Sequence, residues 1–251
     1  MKLDGRVCVI TGGARGIGEA IAQRFAAEGG TVALWDLDGE AAVATAGPLG
    51  GSGHACDVQA RADVERAHAD TLAAHGRVDV LVINAGVALA GPSETFSDDD
   101  WDTSIGVMQT GVFLVSQVIG RGMLERGSGS IVNIASINAW AAFPMRLAYC
   151  AAKAAVVAMT EVLAIEWADR GVRVNAVAPG VTRTALVQKG IDEGVIDVDR
   201  YLARTPLHRF GEPDEIARAV LYLANEDDGA FVTGTTLRID GGWSAQGWII
   251  R

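Results

Sequence analysis

The chain has 251 residues, of which 49% are hydrophobic and 21% charged, and its formal net charge is −10. A chain of this length and hydrophobic content can bury one sizeable core, so we expect a single domain over residues 1–251. The acidic balance argues against a nucleic-acid partner, because binding to a phosphate backbone requires clustered Lys and Arg.

The N-terminus and the cysteines favour a cytoplasmic protein. A strand-like run begins a few residues after Met1 and is not preceded by a signal-peptide pattern. Gly or a charged residue interrupts every apolar run well before about 18 residues, so the sequence predicts no membrane span. Cys8, Cys56 and Cys150 stand far apart and form no CxxC pair, so we expect buried thiols and no metal site.

Short β-branched runs alternate with longer segments of helical periodicity along the chain. This pattern predicts an α/β class and a Rossmann-type doubly wound fold, a seven-stranded parallel sheet with helices on both faces. The predicted strands are Val7–Thr11, Thr31–Trp35, Gly53–Cys56, Val80–Ile83, Ser130–Ala135, Arg173–Val177 and Thr236–Ile239. The predicted helices lie near Ile17–Ala27, Ala60–Ala74, Asp99–Glu125, Leu147–Asp169 and Glu212–Ala224.

The two halves of the chain are expected to divide the work of the site. Residues 1–100 should mainly bind a cofactor, and residues 101–251 should mainly supply catalysis and the substrate pocket. The segment 182–205 follows a Pro-Gly pair and carries two glycines in an amphipathic pattern, which favours a substrate lid.

A Gly-rich turn directly follows the first predicted strand. It reads Thr11-Gly12-Gly13-Ala14-Arg15-Gly16-Ile17-Gly18 and precedes a helix. The glycines permit a tight turn and let a pyrophosphate approach the positive end of the helix dipole. The spacing Gly-x-x-x-Gly-x-Gly departs from the general dinucleotide fingerprint, and an ordinary strand-to-helix turn would also explain it.

Asp36 ends the second predicted strand, where a dinucleotide fold holds the adenosine ribose. Its carboxylate can accept hydrogen bonds from both ribose hydroxyls and would repel a 2′-phosphate, and Asp38 adds negative charge nearby. Arg15 favours the opposite preference, because a guanidinium can bind a 2′-phosphate through two hydrogen bonds. The balance predicts NAD over NADP, with Leu37 next to the ribose site.

Two further strand ends carry candidate cofactor contacts. Asp57 and Val58 follow the third strand, and Asn84-Ala85-Gly86 follows the fourth. The carboxyl ends of parallel strands meet at one edge of the sheet, so we expect contacts with the adenine half of the cofactor. For Asp57, capping of the next helix is the alternative.

Tyr149 and Lys153 begin a long helical segment, and their spacing places both side chains on one helix face. The ammonium is expected to lower the pKa of the phenol, so the pair can act as a general acid or base. Ser136 follows the fifth strand, and its hydroxyl can donate to an oxygen on which charge develops. A lone Tyr-x-x-x-Lys also arises by chance, but its place at strand ends after a Gly-rich turn favours catalysis.

Together these motifs resemble the classical short-chain dehydrogenase/reductase family over essentially the whole chain. The resemblance is carried by Thr11-Gly12-x-x-x-Gly16-x-Gly18, Asn84-Ala85-Gly86, Ser136, Tyr149-x-x-x-Lys153, Asn175-Ala-Val-Ala-Pro179-Gly180 with Thr184, and Pro206-x-x-Arg209-x-Gly211-x-Pro213.

The resemblance implies a role for each of the reactive residues. Tyr149 would transfer the proton, Ser136 would orient the substrate oxygen, and Lys153 would hold the nicotinamide ribose. Contacts with the nicotinamide and pyrophosphate would come from Pro179, Gly180, Val181, Thr182 and Thr184. The family also implies a homotetramer, with helices containing residues 101–124 and 147–167 packed between subunits.

Two positions depart from the family pattern. Ile83 replaces the first of two asparagines before Ala-Gly, and Met108 stands where the family has a catalytic asparagine. Methionine cannot donate a hydrogen bond. The role of that asparagine in the family runs largely through its backbone carbonyl and a water, so the backbone at Met108 can still serve.

The sequence therefore predicts an NAD-dependent enzyme that interconverts a small secondary alcohol and its ketone. The expected substrates are a polyol, sugar, hydroxy ketone or cyclic alcohol, bound by residues 137–146, 181–201 and 243–248. Arg146 could meet an anionic substrate or simply face solvent. Two alternatives stay open: an NADP-linked 3-oxoacyl-type reductase of the same family, and a catalytically silent dinucleotide-binding protein.

Overall fold

A computed structural model of the chain describes residues 1–194 and 196–247. The predicted contribution of Trp248 to the substrate pocket lies outside the described residues, as does Val195 of the predicted lid. Within the described ranges, the helices and strands can be compared directly with the sequence predictions.

Seven parallel strands form one sheet in the order β3-β2-β1-β4-β5-β6-β7. They are β1 (Val7–Thr11), β2 (Thr31–Asp36), β3 (Ser52–Ala55), β4 (Val80–Ile83), β5 (Gly129–Ile134), β6 (Val172–Pro179) and β7 (Thr236–Ile239). The predicted fold class is confirmed, and each observed strand end lies within two residues of its prediction. The strand order reverses between β1 and β4, which is where doubly wound sheets open a ligand crevice.

Helices cover both faces of this sheet. They are α1 (Gly16–Ala27), α2 (Gly39–Ala46), α3 (Arg61–His75), α4 (Asp98–Ile105), α5 (Gly111–Arg126), α6 (Leu147–Trp167), α7 (Ala185–Asp192), α8 (Val198–Arg204), α9 (Pro213–Ala224) and α10 (Glu226–Gly229). The sequence did not predict α2, α7, α8 and α10, which are all short. Helices this short show too few turns for a clear periodicity.

The predicted helix Asp99–Glu125 is divided by one π-helical turn over Gly106–Thr110. The N–H of Gly111 donates to the carbonyl of Gly106, five residues earlier, which widens the helix locally. Met108 lies in this turn and is fully buried. Position 108 is therefore presented from a widened turn and not from a regular α-helix.

The hydrophobic core has two parts, one on each face of the sheet. Side chains of successive strand residues point to opposite faces, so Val9 of β1 joins the cluster with α3, α5 and α6. Its neighbours Cys8 and Ile10 join the cluster with α1, α2 and α9. Burial on both faces explains why the strand sequences read as continuous apolar runs.

Two helical stretches, Asp98–Arg126 and Leu147–Arg170, are long and apolar enough to cross a membrane by length and composition. The glycines and charges on which the prediction of no membrane span rested do not limit helix length, because both helices continue through them. Core helices of globular proteins pass the same test. In this chain 56% and 33% of the two apolar windows are buried against the rest of the protein.

Phe25 of α1 anchors the second core cluster and is fully buried. Replacing it with alanine removes this packing and leaves a cavity, so we expect Phe25→Ala to lower the free energy of unfolding by about 3–5 kcal/mol. Urea denaturation measures the change. The matched control is Phe231→Ala, since Phe231 is fully exposed and its truncation should change stability by less than about 0.5 kcal/mol. Equal effects of the two substitutions would contradict this account of the core.

Candidate active site

A cleft of about 710 Å³ opens at the carboxyl end of the sheet. Of the residues predicted for the site, it is lined by Gly12, Arg15, Gly16, Ile17, Asp36, Leu37, Asp57, Val58, Asn84, Ala85, Gly86, Ser136, Tyr149, Lys153, Pro179, Gly180, Val181, Thr182 and Thr184. Gly18 does not line the cleft and acts from behind the turn. The cleft also includes Gln59, Val87, Ala88 and Val107, which the sequence did not predict.

The Gly-rich turn leaves no room for side chains at its closest contacts. A Cβ at Gly18 would lie 2.0 Å from the carbonyl oxygen of Gly12, and a Cβ at Gly12 would lie 2.9 Å from Cα of Ala85. Gly16 has φ of +60°, a conformation that favours glycine. The turn therefore brings bare backbone to the edge of the cleft.

The first turn of α1 receives no hydrogen bond from a capping side chain. Helix N-termini carry backbone N–H groups that need acceptors, and they hold a partial positive charge. Gly16 and Ile17 of this turn line the cleft. An uncapped helix start behind a tight glycine turn fits the pyrophosphate of a dinucleotide.

Asn84 and Thr11 join β4 to the Gly-rich turn. Nδ2 of Asn84 donates to the carbonyl oxygens of Thr11 at 3.1 Å and Gly12 at 2.8 Å. Oγ1 of Thr11 accepts from the backbone N–H groups of Asn84 at 3.0 Å and Ala85 at 3.1 Å. The sequence predicted Asn84 as an adenine contact, but its amide nitrogen shapes the turn, and the role of the Thr11 hydroxyl was missed.

Asp36 is held at the end of β2 by two backbone donors. Its carboxylate accepts from the N–H of Ala14 at 3.1 Å and from the N–H of Asp38 at 3.1 Å. Arg15, which could have favoured a 2′-phosphate, forms an ion pair with Asp38. Leu37 is 78% exposed beside them. This end of the cleft therefore carries a carboxylate that is held in place, and the guanidinium of Arg15 beside it is already paired with Asp38.

Asp57 lies on the same side of the cleft, beyond β3. Oδ1 accepts from the N–H of Gln59 at 3.0 Å. The N-cap of α3 is Ala60, which has no side-chain cap bond. The alternative of Asp57 as the helix cap is therefore wrong, and its carboxylate fixes the loop that places Val58 and Gln59 against the cleft.

Ser136, Tyr149 and Lys153 are neighbours in the lining of the cleft. Ser136 is 7% exposed, and its Oγ accepts from the N–H of Asn138 at 3.2 Å and donates to Oδ1 of Asn138 at 3.3 Å. Nζ of Lys153 lies 5.8 Å from the ring centre of Tyr149 and donates to the carbonyl of Ile134 at 2.7 Å. The serine hydroxyl and phenol thus share one wall, with the ammonium behind them.

The pKa of Tyr149 is raised by burial, which disfavours the phenolate. A hydrogen bond from Ser136 and the positive charge of Arg146 oppose this rise without cancelling it. From the sequence we expected the ammonium of Lys153 to lower the pKa of the phenol. The structure shows that the opposing contributions come from Ser136 and Arg146 instead.

Burial lowers the pKa of the Lys153 ammonium from 10.5 to about 8. The side chain is only 5% exposed and donates to one backbone carbonyl, without a carboxylate partner among the described residues. A lysine in this environment can lose or gain a proton near neutral pH.

The loop after β6 closes the cleft from the other side. Oγ1 of Thr182 donates to the carbonyl of Gly180 at 3.1 Å, and Thr182 pairs with Gly211 as an isolated bridge. Thr184 caps α7 by accepting from the N–H of Val187 at 3.3 Å. These hydrogen bonds hold the loop in place, and none of them involves a residue of the Gly-rich turn.

Aromatic rings form the outer wall of the substrate end. Phe143 stacks on Tyr201 of α8 with ring centres 6.2 Å apart, and Trp243 stacks on Phe143 at 5.3 Å. The guanidinium of Arg204 lies 4.7 Å from the Trp243 ring centre. The stack links the predicted lid to the loop after β5 and to the C-terminal segment, with Trp243 behind the wall and outside the cleft lining.

The geometry agrees with comparisons to known proteins. A family model described as "Enoyl-(Acyl carrier protein) reductase" matches residues 12–244. The chain is 46% identical to a D-threitol dehydrogenase of Mycolicibacterium smegmatis, covering 97% of this chain and 94% of that protein. It is 39% identical to the 3-oxoacyl-[acyl-carrier-protein] reductase FabG of Thermotoga maritima, with 96% and 99% covered. It is 37% identical to an NAD-dependent glycerol dehydrogenase of Listeria innocua, with 97% and 95% covered.

The chain belongs to the classical short-chain dehydrogenase/reductase family, as the sequence predicted. It is an oxidoreductase that acts on CH–OH and C=O groups, and it binds a nicotinamide dinucleotide. The relatives that oxidise polyols and other alcohols support secondary alcohols as the substrate class.

The lowered pKa of Lys153 makes the stability of the cofactor-free protein depend on pH. Between pH 8 and 10.5 the unfolded chain keeps a proton that the folded chain releases, so the free energy of unfolding rises with pH in that window. We expect wild type to gain about 2 kcal/mol relative to Lys153→Met between pH 7.5 and 9.5. Urea denaturation at each pH measures the gain.

The control for this pH series is Lys189→Met, because Lys189 is exposed and its loss should leave the pH dependence of wild type intact. If the stability of wild type and of Lys153→Met changed in parallel with pH, burial would not lower the pKa of Lys153.

Proposed function

We propose that this protein is an NAD-dependent dehydrogenase that interconverts a small secondary alcohol and its ketone, with Tyr149 as the general acid and base. The observation that carries the proposal is the shared wall of Ser136, Tyr149 and Lys153 at the centre of a cleft that begins at an uncapped helix N-terminus. The candidate substrates are polyols, sugars, hydroxy ketones and cyclic alcohols.

The residues that would hold the cofactor run from one end of the cleft to the other. Asp36 and Leu37 would bind the adenosine ribose, and the backbone at the start of α1, with that of Gly12 and Arg15, would bind the pyrophosphate. Lys153 would bind the nicotinamide ribose, with the segment 179–184 against the nicotinamide. When bound, the dinucleotide supplies the group that accepts or gives the hydride.

The protein's own residues transfer one proton, from the substrate in oxidation and to the substrate in reduction. In oxidation, Oη of Tyr149 takes the proton of the alcohol hydroxyl while the carbon–hydrogen bond breaks, and a carbonyl remains. In reduction, the same phenol returns the proton to the carbonyl oxygen. Oγ of Ser136 holds that oxygen in both directions and stabilises its developing charge.

The preference for NAD rests on Asp36 and on the pairing of Arg15. A 2′-phosphate would meet the Asp36 carboxylate, and the guanidinium that could offset this repulsion is bound to Asp38. A backbone hydrogen bond from Ala41 and the ion pair with Arg15 lower the pKa of Asp38, so the negative charge persists at neutral pH.

An NADP-linked 3-oxoacyl-type reductase is the second candidate, because the chain is similar to a FabG protein at 39% identity. Such an enzyme would use the same Ser136, Tyr149 and Lys153. The distinction between the two candidates lies in the cofactor and the substrate. A catalytically silent dinucleotide-binding protein would have no use for the proton-transfer residues.

We propose in addition that the protein forms a homotetramer and that the two halves of the chain have different roles. Homotetramer contacts would use the helices within 101–124 and 147–167, whose apolar residues Phe113, Val162 and Ile165 are exposed by 48%, 52% and 81%. Residues 1–100 would mainly hold the cofactor, and the segment 182–205 would act as the substrate lid. The cytoplasmic location stays a prediction.

Absorbance at 340 nm with NAD or NADP and a panel of polyols, sugars, and cyclic and aryl alcohols tests the activity. We expect NAD reduction with a panel member, and a fall in kcat of about 10²–10⁴-fold in Tyr149→Phe, because the phenol that moves the proton is lost. The control is Tyr222→Phe on the exposed face of α9. Retained activity in Tyr149→Phe would refute the assigned role, and failure of all alcohols with both cofactors would favour the silent protein.

The cofactor preference is tested by fluorescence titration with NADH and NADPH, without turnover. Asp36→Asn keeps the size of the side chain and one acceptor but removes the charge that repels a 2′-phosphate. The Kd for NADPH divided by the Kd for NADH should therefore fall about tenfold. Asp70→Ala, at an exposed position on α3, is the control. Tighter binding of NADPH than NADH in wild type would reverse the assignment.

A further inference from the structure

We infer that Asn138 is a specificity-determining residue that binds a second hydroxyl, on the carbon next to the one that reacts. The substrates would then be vicinal diols and the matching α-hydroxy ketones, not simple alcohols. This inference rests on the proposed alcohol dehydrogenase function and narrows its substrate class.

Asn138 lies in the cleft directly beside Ser136. Asn138 lies two residues beyond Ser136, in the 3₁₀ turn Ile137–Ala139, and its side chain lines the cleft. Oδ1 lies 3.3 Å from Oγ of Ser136. A substrate whose reacting oxygen rests on Ser136 and Tyr149 therefore brings its neighbouring carbon within reach of this amide.

The side-chain amide of Asn138 has hydrogen-bonding capacity that the described residues use only in part. Among the described residues, Nδ2 of Asn138 donates only to Sγ of Cys150 at 3.7 Å, and sulfur is a weak acceptor. Oδ1 accepts only from the hydroxyl of Ser136, which must turn towards the substrate oxygen in catalysis. The amide can then offer one donor and one acceptor, which are the two partners that a hydroxyl group needs.

The surroundings of the amide favour a short substrate with exposed C–H groups. Phe143 and Tyr201 line the same cleft as Asn138, with Trp243 stacked on Phe143. Aromatic faces pack against C–H groups, while a hydroxyl beside Asn138 would find a polar partner. A methyl group in place of that hydroxyl would leave the amide without a replacement for the hydrogen bonds it makes to water.

The test uses propane-1,2-diol and butan-2-ol, which differ at the neighbouring carbon by a hydroxyl in place of a methyl group. We expect wild type to oxidise the diol with at least tenfold higher kcat/KM, because an unmatched polar group in the site opposes the butan-2-ol complex. In Asn138→Ala and Asn138→Leu this ratio should fall about tenfold, since the partner of the second hydroxyl is lost. Leucine keeps the volume of the side chain. The affinity for NADH and the midpoint of thermal unfolding show whether each variant is folded.

A purely positioning role for Asn138, through Ser136 alone, predicts a different result. Both substrates would then lose kcat/KM by the same factor, the ratio would stay at its wild-type value, and the inference would be overturned. Gln23→Ala removes an exposed amide on α1 and should change neither value.

The failure of the inference can be separated from the failure of the proposed function. A wild-type enzyme that oxidises butan-2-ol as well as the diol overturns the role of Asn138 but leaves the alcohol dehydrogenase standing. A wild-type protein that binds NADH but oxidises neither substrate, nor any member of the alcohol panel, overturns both.

Discussion

The close approach of the Gly-rich turn to itself and to β4 is the constraint on which the cleft depends. A Cβ at Gly18 would lie 2.0 Å from the carbonyl oxygen of Gly12, and Asn84 donates to the carbonyls of Thr11 and Gly12. Any side chain at Gly18 would push α1 away from β1. The start of α1, with its partial positive charge, can reach the edge of the cleft because this contact is made.

Much of the sheet could be predicted because β1 and its neighbours are buried on both faces and read as continuous apolar runs. The short helices were missed for a physical reason. Helix α2 has two turns and a glycine at its first position, and the lid segment contains Gly190 within α7. Their helical state is set by packing against the sheet and the cleft loops, which local propensity does not report.

Candidate site residues could be predicted as a set because parallel strands bring their carboxyl ends to one edge. The direction of each side chain could not. Asn84 turns its amide nitrogen towards the backbone of β1, and Arg15 turns towards Asp38. Both choices depend on partners distant in the sequence, and the π-helical turn at Met108 cannot be told from an α-helix by the spacing of apolar residues.

The electrostatics of Tyr149 show why helix spacing alone did not predict its ionisation. Lys153 shares a helix face with it, but the ammonium is directed to the carbonyl of Ile134 and is itself disfavoured by burial. With a pKa of about 8, the lysine carries only part of its charge in mildly alkaline solution. The groups that oppose the rise in the pKa of Tyr149 are therefore Ser136, through its hydrogen bond, and Arg146, through its charge. Since the proposed mechanism also uses the Ser136 hydroxyl to hold the substrate oxygen, binding of substrate and ionisation of the phenol act on the same hydroxyl group, and the two events are coupled.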